Sequence, residues 1–146
     1  MNKMQTVMED IKQTWGDQVE ILEDKYFDMI KVPVEILPEL FQKLNQVHGF
    51  NYLANLTAVD YQDRFELVYH IYSMPDNRKL AVKADLDHDH PAAPSAITIW
   101  PTADWQEREL FDLMGIRFDG HSNLRRILLP DEFEGHPLRK DFQMKG

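Results

Sequence analysis

Phe65-Glu66-Leu67-Val68-Tyr69-His70-Ile71-Tyr72-Ser73 alternates along its length, with Leu67, Tyr69, Ile71 and Ser73 on one side and Val68, His70 and Tyr72 on the other. A two-residue period is the mark of a strand. Asp63-Arg64 before it and Pro75-Asp76-Asn77 after it are turn residues. Beyond those turns lie two more strand-like runs, residues 52–61 and 79–87, so the three together predict an antiparallel meander.

Working outward, Met4, Val7, Met8, Ile11 and Trp15 recur at helical spacing and predict a helix over residues 3–15, stopped by Gly16-Asp17. Runs at 19–22 and 26–32, joined by Glu23-Asp24-Lys25, predict a hairpin. A second helix starts near Val34, with Pro33 or Pro38 in its opening turns. It carries Leu37, Leu40, Phe41, Leu44 and Val47 on one face and ends at Gly49. On the other side of the meander, a brief strand at 96–100 precedes a short third helix. Asp104 is its expected N-cap, with Glu107 at capping-box spacing, and Gly115 closes it. Leu110, Phe111, Leu113 and Met114 give it an apolar face. The order α-β-β-α-β-β-β predicts an α+β two-layer sandwich, with helices on one face of a mainly antiparallel sheet.

After Gly115 the periodicity stops. Residues 116–146 hold one short apolar run, Ile127-Leu128-Leu129, yet keep Phe118, Leu124, Phe133, Leu138 and Phe142, so their composition is not that of a disordered tail. Long segments without periodic structure are uncommon in compact domains. The reading is an α+β domain over 1–115 and, belonging to the same domain, an extended C-terminal docking arm over 116–146, ordered against another protein.

Composition narrows the function. The net charge of −9 argues against bulk binding of nucleic acid or anionic lipid. Against that balance, Arg117, Arg125, Arg126, Arg139 and Lys140 gather late in the sequence, a local basic patch suited to an acidic partner. No cysteine is present, which removes disulfides, thiol catalysis and Cys-ligated iron–sulfur clusters. The six glycines never stand two apart, so no Gly-x-Gly phosphate loop can be drawn. No run reaches the roughly 18 apolar residues of a membrane span. The first ten residues lack the apolar stretch of a signal peptide.

Four features are candidates for chemistry. Asp87-His88-Asp89-His90 sets two imidazoles on one side of an extended chain, as metal ligands require, but at a strand end where polar residues are expected. Glu107 and Glu109 are two apart on a helix and point to opposite sides, so they do not converge as an acid/base pair. Arg108 and Asp112, four apart, are expected to pair. Gly120-His121 and Gly135-His136-Pro137 read as turns in which each histidine donates to a carbonyl. No serine sits in a nucleophile elbow.

The run from Glu107-Arg108-Glu109-Leu110-Phe111-Asp112 through Gly115, Gly120-His121 and Arg125-Arg126 resembles the signature of the 30-kDa subunit family of respiratory complex I. The resemblance extends back through residues 94–101 and forward through Gly135-His136-Pro137-Leu138-Arg139-Lys140-Asp141-Phe142, about the last third of the chain. It departs at Ser122-Asn123, where the family usually has Pro first, and at Met114, where an aromatic is common.

The resemblance implies a non-catalytic, cofactor-free peripheral-arm subunit of a proton-translocating NADH-quinone oxidoreductase. It implies a peripheral position on the cytoplasmic face of a bacterial membrane, with FMN, iron–sulfur clusters and quinone on other subunits. Its partners would be a separate 49-kDa-type quinone-site subunit and the subunit that carries the terminal iron–sulfur cluster. Glu107, Arg108, Glu109, Asp112, Gly115, Gly120, His121, Arg125, Arg126, Gly135, His136, Pro137, Arg139, Asp141 and Phe142 would then be signature or interface positions. An equivalent subunit of a membrane-bound hydrogenase or formate hydrogenlyase complex is the alternative. A stand-alone metalloenzyme using His88 and His90 is a remote one.

Overall fold

A computed structural model of the chain describes residues 2–126, 128, 129 and 133–142. Helix α1 (Lys3–Trp15) opens on a capping box in which Asn2 and Gln5 exchange side chain-to-backbone bonds. It ends at Gly16, whose φ is +58°. Strands β1 (Glu20–Leu22) and β2 (Asp28–Lys31) form the expected antiparallel hairpin. A short 3-10 turn leads into helix α2 (Leu37–Gln46). Its buried face is Leu37, Leu40, Phe41 and Leu44; Val47, expected on that face, is the C-cap and stands 65% exposed because the helix has already ended.

The meander is strands β3 (Tyr52–Asp60), β4 (Arg64–Ser73) and β5 (Arg78–Asp87), paired antiparallel. The sheet order is β1-β2-β5-β4-β3, and β2 lies parallel to β5, a pairing the linear pattern does not announce. Phe65, Leu67, Tyr69 and Ile71 stand opposite Leu86, Ala84, Val82 and Leu80, making one buried face. The helices cover that face: Phe41 of α2 meets Tyr69 edge-on at 4.7 Å and Trp100 at 5.0 Å. This is the α+β sandwich that the periodicities predict.

The strand expected at 96–100 is instead a series of turns, with Ile99 and Trp100 N–H groups both donating to the Ala96 carbonyl. Ile97-Thr98-Ile99 is strand-like by β-branching, yet the Glu107 carboxylate accepts the Ala96 N–H and the Ser95 hydroxyl and holds the backbone in the turn. The strand lies slightly earlier, β6 (Ala92–Pro94). It pairs in parallel with β7 (Arg117–Asp119), which follows helix α3 (Ala103–Met114). The residues after 115 therefore contribute a strand to the fold. Helix α3 also starts before its expected cap: Thr102 is the N-cap, without a side-chain bond, and Asp104 lies inside the first turn.

Candidate functional site

Helix α3 leaves its last carbonyls without intrahelical partners, as every α-helix does. The arm supplies them. His136 Nδ1 lies 3.0 Å from the Asp112 carbonyl, the Leu138 N–H donates to Leu113 (2.9 Å), and Arg139 Nε donates to Met114 (2.8 Å). Nδ1 also lies 3.2 Å from Arg126 Nη2, so the ring nitrogen sits between a donor and an acceptor. The cationic Arg139 also suits the negative end of the helix dipole. Gly115 makes the junction possible: its φ is +73°, and a Cβ there would lie 2.8 Å from His136 Cδ2.

The Asp112 side chain, 0% exposed, anchors the other limb of the arm. Oδ2 accepts the N–H groups of Leu128 (2.6 Å) and Leu129 (3.0 Å), and Arg126 Nη1 lies 3.5 Å from Oδ1. Arg126 ties the limbs together by donating from Nη2 to the Gly135 carbonyl at 2.6 Å. The expected Arg108–Asp112 pair is not formed. Asp112 faces the arm, and the Arg108 guanidinium lies 5.9 Å from the centre of the Trp105 ring.

A second buried carboxylate, Asp60 at the end of β3, takes the arm's far end. It accepts the Lys140 N–H (2.9 Å) and the Gln62 N–H (2.8 Å), and His88 Nε2 lies 3.0 Å away. His88 stacks on Phe65 at 4.6 Å, and the Arg139 guanidinium sits 5.1 Å from the same ring. His88 is thus committed to this corner, whereas His90 is exposed. Among the described residues, no group of three or more His, Asp or Glu is placed to hold a metal ion.

Burial raises the Asp60 carboxyl, but the N–H bonds from Lys140 and Gln62 and the neighbouring His88 outweigh it and hold the group below the usual carboxylate range. A carboxyl lowered in the folded state contributes stability that is fully present above its unfolded pKa of about 3.9. That contribution is lost as pH falls through the lower folded value. The Lys140 amide is therefore expected to be protected from hydrogen exchange at neutral pH and to lose that protection in acid, below about pH 4. Asp60→Asn has no second acceptor for Lys140, so it should expose this amide at every pH; unchanged protection would remove Asp60 as the anchor. Glu107 has the opposite sign. Burial raises it against the bonds from Ser95 and Ala96, so its contribution falls as pH rises.

The other signature positions divide clearly. Glu107, like Asp112, is 0% exposed and bonds within its own chain. The His121 side chain is fully buried; it accepts the Asn123 N–H at Nδ1, and its Nε2 lies 2.9 Å from Asp104 Oδ1. Gly120 and Gly135 have φ of +89° and +92° and make the expected turns. Pro137 is half-buried, and Phe142 stacks with Phe133 at 6.3 Å. Arg125 and Asp141 are exposed, and Arg108 and Glu109 are half-buried with no ion pair among the described residues. The arm also has partners in its own chain, on α3 and at the end of β3. Asp60, Ser95 and Lys140 are not among the expected site residues. Asp60 has a signal: it is a lone acid at the end of a strand, opposite Phe65 on the buried face.

These observations define an α+β domain whose C-terminal arm is fastened to it by buried carboxylates. The chain belongs to the family described as respiratory-chain NADH dehydrogenase, 30 Kd subunit, which matches residues 30–146. The NADH-quinone oxidoreductase C subunit of Moorella thermoacetica is 45% identical over 97% of both chains. Its counterpart from Phenylobacterium zucineum is 47% identical over 78% of this chain and 56% of its own. Among solved structures, a trypsin-resistant fragment of Nqo5 has a TM-score of 0.74 at 26% identity, covering 84% of this chain and all of the fragment. A chain of an archaeal respiratory membrane complex, the membrane-bound sulfane sulfur reductase, has a TM-score of 0.82 at 25% identity, covering 98% and 87%.

Proposed function

We propose that this chain is a scaffolding component of an NADH-quinone oxidoreductase, holding together the quinone-reducing module of the peripheral arm without binding cofactor or performing chemistry itself. FMN, the iron–sulfur clusters and quinone then belong to other subunits. The observation that carries the reading is exposed apolar area on α3 and the arm. Trp105 on α3 and Leu128 and Leu138 in the arm are each half or more exposed, and Arg125 is exposed as well. Trp and Arg are among the residues most enriched at interface hot spots. The intended partners are the 49-kDa-type quinone-site subunit and the subunit that carries the terminal cluster, at the cytoplasmic face of the membrane. Among the described residues no helix is long and apolar enough to cross a membrane, which suits peripheral attachment.

The test is recovery of the tagged chain from native membranes in mild detergent. Co-purification of cluster-bearing and membrane subunits with NADH-to-quinone activity supports the proposal; recovery of the chain alone overturns it. A second reading is favoured by the likeness to the sulfane sulfur reductase chain: the same scaffold in a respiratory complex with another donor or acceptor, including the hydrogenase and formate hydrogenlyase types. Similar neighbours without NADH oxidation would select it. Arg125→Ala separates docking from folding. Its urea midpoint should match wild type, while assembly weakens by about 2–5 kcal/mol as a partner carboxylate loses its mate. Normal complex yield from that variant would refute Arg125 as an anchor.

A further inference from the structure

A cleft of about 320 Å³ has Asp89, His90, Gly115, Arg117, His136 and Arg139 in its walls. In a chain of net charge −9, two arginines and two histidines against one acid make this an unusual surface. We propose that the cleft binds a small phosphate-type oxyanion that keeps a proton: hydrogen phosphate or the singly protonated phosphate of a monoester. The inference is independent of which respiratory complex the chain serves.

Arg139 is held in place for such a role. Its Nε and Nη2 donate to the carbonyls of Met114 and His88, leaving Nη1 without a protein partner among the described residues. Arg117 rises from β7, whose backbone is fixed by its N–H bond to the Pro91 carbonyl. Among the described residues the Arg117 guanidinium pairs with Asp119 alone, 3.2 Å away, and the pair is more than 60% exposed on each side and therefore weak. Two guanidinium groups suit an oxyanion, which accepts several hydrogen bonds at once.

Asp89 sharpens the choice of ligand, because its carboxylate only accepts hydrogen bonds. A fully deprotonated oxyanion such as sulfate meets repulsion there. Phosphate that keeps an O–H donates it to Asp89, so the site selects a protonated oxyanion. The volume lies at the small end of ligand pockets, typically about 300–1,000 Å³, which suits a small ligand.

The experiment is a titration of the full chain with inorganic phosphate at constant ionic strength, following the His90 and His136 ring signals by NMR. Saturable shifts are expected with phosphate and not with sulfate. Arg117→Ala should weaken binding at least tenfold without changing the urea midpoint, and Asp89→Asn should admit sulfate. Equal, non-saturating responses to both anions, or wild-type affinity in Arg117→Ala, would overturn the site. Vesicles of phosphatidylcholine with and without phosphatidic acid identify the source. Phosphate-competed binding to the acidic vesicles assigns a lipid headgroup, whereas phosphate binding without vesicle binding assigns a free phosphate.

Discussion

Asp112→Ala should detach the arm and cost about 3–5 kcal/mol, the range for removing one member of a buried ion pair. The carboxylate is fully buried, and the Arg126 side chain beside it is only 10% exposed. Its removal strands that guanidinium and leaves the Leu128 and Leu129 N–H groups without their acceptor. Amide exchange tells a local effect from a global one. Leu128, Leu129 and Leu138 should lose protection while Tyr69, in the middle of β4, keeps most of it. Asp112→Asn keeps an acceptor and should fall between wild type and alanine. If Leu128 and Leu129 stay protected in Asp112→Ala, the carboxylate is not what fastens the arm.

Gly115→Ala is expected to be the next most damaging single change. The left-handed conformation alone costs an L-residue about 1–2 kcal/mol. The new methyl would also lie 2.8–2.9 Å from the His136 ring, which must move and give up its bond to the Asp112 carbonyl, worth about another 1 kcal/mol. Gly120 supplies the control. Its φ is +89°, and nothing lies within 4 Å of a Cβ placed there, so Gly120→Ala measures conformational strain alone. The excess loss in Gly115→Ala, read from urea midpoints, is then the clash. His136→Ala in the Gly115→Ala background should recover part of it; equal losses at the two glycines would show that the His136 contact does not matter.

The meander and the first helix are legible because burial imposes a period: Leu67, Tyr69 and Ile71 must all face the core, and Val7 and Ile11 must share a helix face. Where a backbone is held by a distant side chain, no local period exists. Ile97-Thr98-Ile99 carries a strand's composition, and the deciding group, the Glu107 carboxylate, lies on another element. The arm hides its own attachments for the same reason. Many of its donors are backbone N–H groups, which every residue but proline carries, so Leu128, Leu138 and Lys140 give no sign of where they bond. The family resemblance marks Asp112, Gly115, His136 and Arg139 together but not what they do. Geometry supplies that role, capping one helix end.

The parallel contact between β2 and β5 places a constraint on the order of folding. Asp28 lies opposite Leu80, so the amino-terminal hairpin joins the sheet only after helix α2 and the first two meander strands between them have been brought to hand. Hairpin closures in the meander are local and inexpensive in chain entropy, whereas this one encloses a long loop. The meander is therefore the natural nucleus. Substitutions at Ile30, buried on β2, should mainly speed unfolding, while those at Tyr69 or Val82 should slow folding itself.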